Sequence, residues 1–380
     1  MSRPSKLPDT GTTIFALMSA LAQEHDAINL SQGFPNFEGD PRLYQAVIQA
    51  IQNGQNQYAP MQGLPQLREL ILSGVNERYT AQWQMEDITI TSGASQAIFT
   101  AIQALVYPGD EVVVFDPSYD CYKPAIQLAG GKVVSIPLQA PDFLPTAVQL
   151  ENAISDRTSM VLVNSPHNPT GQCWTETEWT LLEQAIEGKD CLVLSDEVYE
   201  HLVFDEVQHI SALGRPKLKD RVLACFSFGK SFHVTGWKIG YMIGSTELMK
   251  EFNKVHQYNV FCVHRPSQAG IAQFLEEQPD YFSSLSGFYQ RKRELLQEGL
   301  AKTDFKVFPC QGTYFQLVDY SAYSNEPDTL FAERLTKEKG VATIPISVFY
   351  DDPPRDQKCV RICFAKTEEV LEEAIRRFDS

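Results

Sequence analysis

"DITITSGASQAIFTAIQALVYPGDEVVVFDPSY", residues 87–119, passes from a short apolar run, through a stretch with helical periodicity, to a second apolar run. That order is the unit of an α/β fold. The apolar runs recur at "SMVLVNSP" (159–166), "CLVLSDEVY" (191–199), "RVLACFSFGK" (221–230) and "KIGYMIG" (238–244). Short, continuous apolar strands separated by helices predict a largely parallel sheet covered on both faces.

Beyond about residue 245 the pattern changes to long helical stretches, "STELMKEFNKVHQYNVF" and "YFSSLSGFYQRKRELLQEGLAK", then the strands "GTYFQLVDY" and "KCVRICFA" and a closing helix. This predicts a second, smaller α/β unit. The expected division is 1–40 as an arm and part of the small unit, 41–275 as the large unit and 276–380 as the rest of the small one. In 380 residues, 43% hydrophobic, there is material for a large core. The formal charge of −16 argues against nucleic acid or an anionic membrane surface as the main partner. The N-terminal stretch has no long apolar run, so cytoplasm is the expected compartment. Eight cysteines without C-x-x-C spacing read as reduced core residues, with structural zinc unexpected.

Ligands of such sheets sit outside the carboxyl ends of the strands, so the polar residues there become the candidates. They are Ser92 to Ser95, Asn168, Asp196, Tyr199, Ser227 and Lys230. Taken singly, each has a plain reading as a cap or a turn. The triplet Gly229-Lys230-Ser231 suggests a nucleotide loop, but that loop needs a glycine at 224, which is Ala224. Together, the set suits pyridoxal phosphate, whose aldehyde needs a lysine, whose ring nitrogen needs a carboxylate, and whose phosphate needs helix N–H groups, hydroxyls and a cation. Lys230, Asp196, the 93–95 turn, Ser227 and Lys238 supply these.

"SFGKSFHVTGWKIGY" (227–241), "NSPHNPTG", "LSDEVYEHLVF", "SQGFPNF" and "NQYAPMQGLPQLREL", followed by "HQYNVF", "GTYF", "VATIPISVFY" and "RICFAK", resemble the class I/II aminotransferases, in their kynurenine and methionine aminotransferase branch. The likeness runs from about residue 10 to the C-terminus and implies the aspartate aminotransferase fold and pyridoxal 5'-phosphate joined to Lys230. It further implies that Asp196 pairs with the ring nitrogen, that Tyr199 and Asn168 bond the phenolic oxygen, and that Tyr119 stacks on the ring. Gly93, Ala94, Ser95, Ser227 and Lys238 match the phosphate cup, and Tyr58 the residue reaching it from the second subunit of a homodimer. Arg361 matches the grip on the substrate α-carboxylate, helped by Gly33 and Asn168. Phe15, Tyr119, Phe261 and Phe349 match the side-chain pocket, Phe261 from across the interface.

The implied reaction is ping-pong transfer of an amino group from methionine or an aromatic amino acid, kynurenine included, to a 2-oxo acid. Elimination from cysteine conjugates at the same site, and a regulator that binds the cofactor without turnover, are the alternatives. Two departures stand out: Lys238 replaces the arginine usual in the wider family, and His233 stands where a small residue is commoner, either packed and neutral or acting near Lys230.

Overall fold

A computed structural model of the chain describes residues 3–8 and 10–379. Its strands are β1 (Ile28–Asn29), β2 (Ile88–Thr91), β3 (Glu111–Asp116), β4 (Lys132–Pro137), β5 (Thr158–Asn164), β6 (Leu192–Asp196), β7 (Val222–Ser227), β8 (Gly240–Gly244), β9 (Lys306–Val307), β10 (Phe315–Asp319), β11 (Val341–Ala342), β12 (Ile344–Pro345) and β13 (Cys359–Cys363). Seven of them form one sheet in the order β2-β8-β7-β6-β5-β3-β4. All its pairs are parallel except those of β8, which runs antiparallel to both β2 and β7. The α/β architecture expected from the alternation is therefore present, with one reversed strand. Alternation cannot show that reversal, because a buried strand has the same apolar sequence in either direction.

Side-chain alternation explains why the sheet is covered twice. Val112, Val114, Met160, Leu162, Leu194, Leu223, Cys225 and Met242 pack with Ala97, Ile98, Ala101 and Ile102 of the helix Gly93–Leu105. Their neighbours Val113, Phe115, Val161, Val163, Val193, Val222 and Ala224 belong to the other core cluster. A continuous apolar run is what a strand needs when both faces are dry. The edge strand β4 was not visible as one of those runs, since its residues are only partly buried.

The second sheet, β12-β13-β10-β9, is antiparallel and comes from the C-terminal third. The N-terminal stretch joins this part of the molecule through β1, which pairs in parallel with β11, and through Leu30, whose carbonyl accepts from the N–H of Cys363. That threading brings residues 31–33 alongside β13.

Strand direction fixes where the chemistry can lie. Asp116, Asn164, Asp196 and Ser227 end β3, β5, β6 and β7, so they share one edge. Because β8 is reversed, its first residue Gly240 sits at that edge too, opposite both Ser227 and Thr91. Lys230 and Lys238 both lie in the short connection between β7 and β8, within reach of that edge. Gly240 is there for space: an added Cβ would lie 2.4 Å from the Phe226 carbonyl oxygen and 3.2 Å from Gly93 Cα. Replacing Gly240 with Ala should push the start of the Gly93–Leu105 helix off the sheet and cost about 1–3 kcal/mol. Chemical denaturation of the purified variant checks this, and an unchanged midpoint would show that the neighbours yield freely.

Candidate active site

At the shared edge is a cavity of about 140 Å³ lined by Gly93, Ala94, Ser95, Ile98, Tyr119, Asn164, Asn168, Asp196, Val198, Tyr199, Ser227, Gly229, Lys230, Thr235 and Lys238. Ten of the residues singled out in the sequence are in that lining: Gly93, Ala94, Ser95, Tyr119, Asn168, Asp196, Tyr199, Ser227, Lys230 and Lys238. They arrive from β2, β3, β5, β6, β7 and the approach to β8.

Lys230 donates from Nζ to the Tyr314 hydroxyl at 3.0 Å and to the Gly33 carbonyl at 3.4 Å. Burial lowers its pKa to about 8, Lys238 and Arg361 push the same way, and Cys363 and Asp196 oppose them. That shift brings the neutral amine, the form a nucleophile or base requires, within reach near physiological pH. Tyr314 went unassigned in the sequence although its motif "GTYF" was noted. Its hydroxyl donates to Gly33 O at 2.6 Å while accepting from Lys230.

Asp196 is buried, and burial raises its pKa, while hydrogen bonds from Tyr122, Val198 and Cys225 oppose that rise. The Tyr122 hydroxyl donates to Oδ2 at 2.6 Å, and the Val198 N–H and the Cys225 thiol approach Oδ1 at 3.4 and 3.6 Å. Asn164, also unforeseen, ties the strand ends together. Its Nδ2 donates to the Asp196 carbonyl at 2.8 Å, and its Oδ1 accepts from the backbone N–H of Asn168 at 2.8 Å. Tyr199 is buried with its pKa raised by that burial, its ring edge-on to Tyr314 at 5.1 Å.

At the other side, the helix Gly93–Leu105 begins without a side-chain cap from Ser92, so its first amides are open to an anion. Gly93 has φ +73°, and a Cβ there would touch Lys238 Nζ at 3.4 Å. The lysine thus lies over the helix start, in a left-handed backbone conformation of its own at φ +55°.

Arg361, in the middle of β13, is 1% exposed and makes no ion pair among the described residues. Its guanidinium donates to Asn168 Oδ1 at 2.9 Å and to the Ser31 carbonyl at 2.8 Å, and lies 3.9 Å over the Phe315 ring and 5.4 Å over Phe15. Nε has no partner among the described residues. Burial lowers its pKa, the mark of a cation short of a counter-charge. Phe15 packs on Phe349 at 5.8 Å, beside this arginine rather than in the cavity lining. The carbonyl that Arg361 contacts is that of Ser31; the carbonyl of Gly33 faces Lys230 instead.

The two residues expected to act across the interface are also outside the cavity lining of their own chain. Tyr58 and Phe261 stack edge-to-face at 5.3 Å on the surface, 77% and 45% exposed. His233 is packed against Phe37, Phe288 and Tyr289, with its pKa lowered to about 4 by burial and by Lys292, so it is a neutral ring.

A buried lysine poised near neutrality, a buried carboxylate and an open helix start therefore converge on one sheet edge, and the unpaired buried arginine of β13 meets it through Asn168. Residues 25–378 match the family model described as aminotransferase class I and II. The chain belongs to that family. It is 47% identical over 374 residues to the methionine aminotransferase of Escherichia coli K12, covering 98% of this chain and 97% of that one. The solved N-succinyldiaminopimelate aminotransferase of Mycobacterium tuberculosis matches with a TM-score of 0.95 at 36% identity, over 100% of this chain and 99% of that one. Mouse kynurenine–oxoglutarate transaminase 1 is 33% identical over 394 residues, covering 95% of this chain and 93% of its own.

The protein is thus a pyridoxal phosphate-dependent aminotransferase of the fold type I architecture, acting on an amino acid and a 2-oxo acid. The donor set fits the cofactor: open amides, Ser227 and Lys238 for a dianion, Asp196 for a protonated ring nitrogen, Lys230 for an aldehyde. Since only the neutral amine reacts, the rate at which cofactor-free protein takes up pyridoxal phosphate covalently should rise with pH, reach half its maximum near 8 and then level off. Absorbance spectroscopy follows it, and a midpoint near 10 would mean that burial does not lower this amine.

Proposed function

We propose that this aminotransferase takes its amino group from methionine and aromatic amino acids, with Lys230 as catalytic base and Arg361 as the carboxylate grip. The carrying observation is the unpaired buried Arg361 flanked by the Phe15–Phe349 pair. An α-carboxylate would supply the missing counter-charge, and the neighbouring rings suit a thioether or an aromatic side chain better than a second carboxylate. The methionine aminotransferase name of the 47% identical relative supports this reading. No observation favours elimination or a regulatory role over transfer.

The geometry supports a role for each residue in this proposal. The bound cofactor supplies an aldehyde that links to amines and a protonated ring that takes up electrons as the Cα proton leaves. Arg361, braced by Asn168 and Ser31, orients the amino acid by its carboxylate. Lys230, once free and neutral, carries the Cα proton, and Tyr314 holds the amine in place. Asp196 holds the proton at the ring nitrogen, Tyr199 and Asn168 serve the phenolic oxygen, and Tyr119 covers the ring. The uncapped helix start, Ser227 and Lys238 bind the phosphate.

Arg361→Lys keeps the charge but loses the two-pronged donor. It should lower kcat/KM for methionine roughly a hundredfold, mostly through KM, as two hydrogen bonds to a charged group are lost. In a screen of donors with one 2-oxo acid, methionine and phenylalanine should exceed aspartate at least tenfold in kcat/KM; aspartate as the preferred donor would overturn the substrate reading.

The active form is proposed to be a cytoplasmic homodimer in which Tyr58 and Phe261 enter the partner's site, Tyr58 at the phosphate and Phe261 at the side-chain pocket. Their exposure as a paired aromatic patch supports this. Among the described residues no helix is long and apolar enough to cross a membrane. The division into units 1–40, 41–275 and 276–380 belongs to the same proposal. Mixing Tyr58→Ala chains with Lys230→Ala chains tests the crossing directly. A hybrid dimer should regain activity, because one site combines Lys230 of one chain with Tyr58 of the other; no regain would place Tyr58 outside the partner's site.

A further inference from the structure

We infer that Tyr122 is a positioning residue for the reaction, whose hydroxyl keeps the Asp196 carboxylate ionised and aligned so that the cofactor's ring nitrogen stays protonated. The inference rests on the reading that Asp196 pairs with that nitrogen. Tyr122 opens the helix Tyr122–Ala129 and is 2% exposed. Its ring packs edge-on against Tyr119, which lines the cavity, at 5.7 Å. Its hydroxyl donates to Asp196 Oδ2 at 2.6 Å, the short distance of a bond to a charged acceptor.

The two oxygens of Asp196 are unequally served. Oδ2 has the tyrosine; Oδ1 has a long backbone contact from Val198 and a weak thiol donor, Cys225. No cation pairs with Asp196 within ion-pair distance among the described residues, so the hydroxyl is the strongest single support for its negative charge. A buried carboxylate stripped of its best donor becomes a stronger base. It would then draw the shared proton from the ring nitrogen toward itself, and the ring would take up electrons less readily as the Cα proton leaves. The sequence position supports a link between stacking and charge: Tyr119 and Tyr122 are three residues apart, so one turn of chain sets both ring cover and carboxylate.

A purely structural role would require only that a buried hydroxyl find an acceptor. The two roles separate in the enzyme loaded with pyridoxal phosphate labelled with 15N at the ring, comparing wild type, Tyr122→Phe and Asp196→Asn. The 15N shift reports directly whether the nitrogen is protonated. Tyr122→Phe, which keeps the ring and its packing, should move the resonance toward the neutral pyridine position, and Asp196→Asn should move it the whole way. The dissociation constant of pyridoxal phosphate should rise roughly ten- to a hundredfold in Tyr122→Phe, the range for loss of a hydrogen bond to a charged group. A thermal melt of the cofactor-free variant, close to wild type, shows that the fold is kept. If Tyr122→Phe leaves the 15N shift and the affinity unchanged while Asp196→Asn moves both, the hydroxyl is only a satisfied buried group and the inference falls. If Asp196→Asn moves neither, the Asp196 reading itself fails and takes the inference with it.

Discussion

Burying unpaired charge is the constraint on which this molecule turns. Asp196 and Arg361 are both nearly inaccessible, of opposite sign, and neither makes an ion pair among the described residues. Removing a lone charge from water is costly unless hydrogen bonds replace the lost hydration. The surroundings do so partially: Tyr122, Val198 and Cys225 serve the carboxylate, while Asn168, Ser31 and two phenyl faces serve the guanidinium. What remains unsatisfied on each is available to a ligand of opposite charge, and a preformed site of this kind spends little on ordering itself when it binds.

The sheet makes that arrangement possible. Parallel strands deliver their last residues to one edge, and the single reversed strand β8 returns the chain there, so that the β7–β8 connection contributes both Lys230 and Lys238. Gly240 lets the start of the Gly93–Leu105 helix press onto the sheet where a side chain would collide, and Gly93 supplies the left-handed backbone turn there. Burial is the largest single cause of the lowered pKa of Lys230, with Lys238 and Arg361 acting in the same direction and Cys363 and Asp196 against it. An amine pKa lowered toward neutrality is thus a consequence of the fold.

Much of the cavity was legible in the sequence because its residues stand at the ends of apolar runs, a position that chain order alone reveals. Lys230, Asp196, Ser227 and the 93–95 turn are of this kind. Asn164 stands at a strand end like the residues that were found, and only its contacts show that it ties Asp196 to Asn168. Tyr122 and Tyr314 were not found, because each acts through a contact to a residue remote in sequence: Tyr122 across 74 positions to Asp196, Tyr314 across 84 to Lys230. A tyrosine in a helix or strand has the same pattern whether its hydroxyl meets a carboxylate or water. For His233 the sequence left two readings, packed and neutral or acting near Lys230, and its packing among aromatic rings decides for the first.

By itself, then, the sequence determined the α/β class, the strand ends and the identities of the groups suited to a phosphate, an aldehyde and a carboxylate, because burial periodicity and residue chemistry are local properties. Only the tertiary structure decided that β8 runs backwards, that Arg361 and Ser31 meet across 330 positions, and that the amine of Lys230 titrates near 8. Those depend on which distant groups share a dry space, and desolvation is a property of that space, absent from any single stretch of the chain.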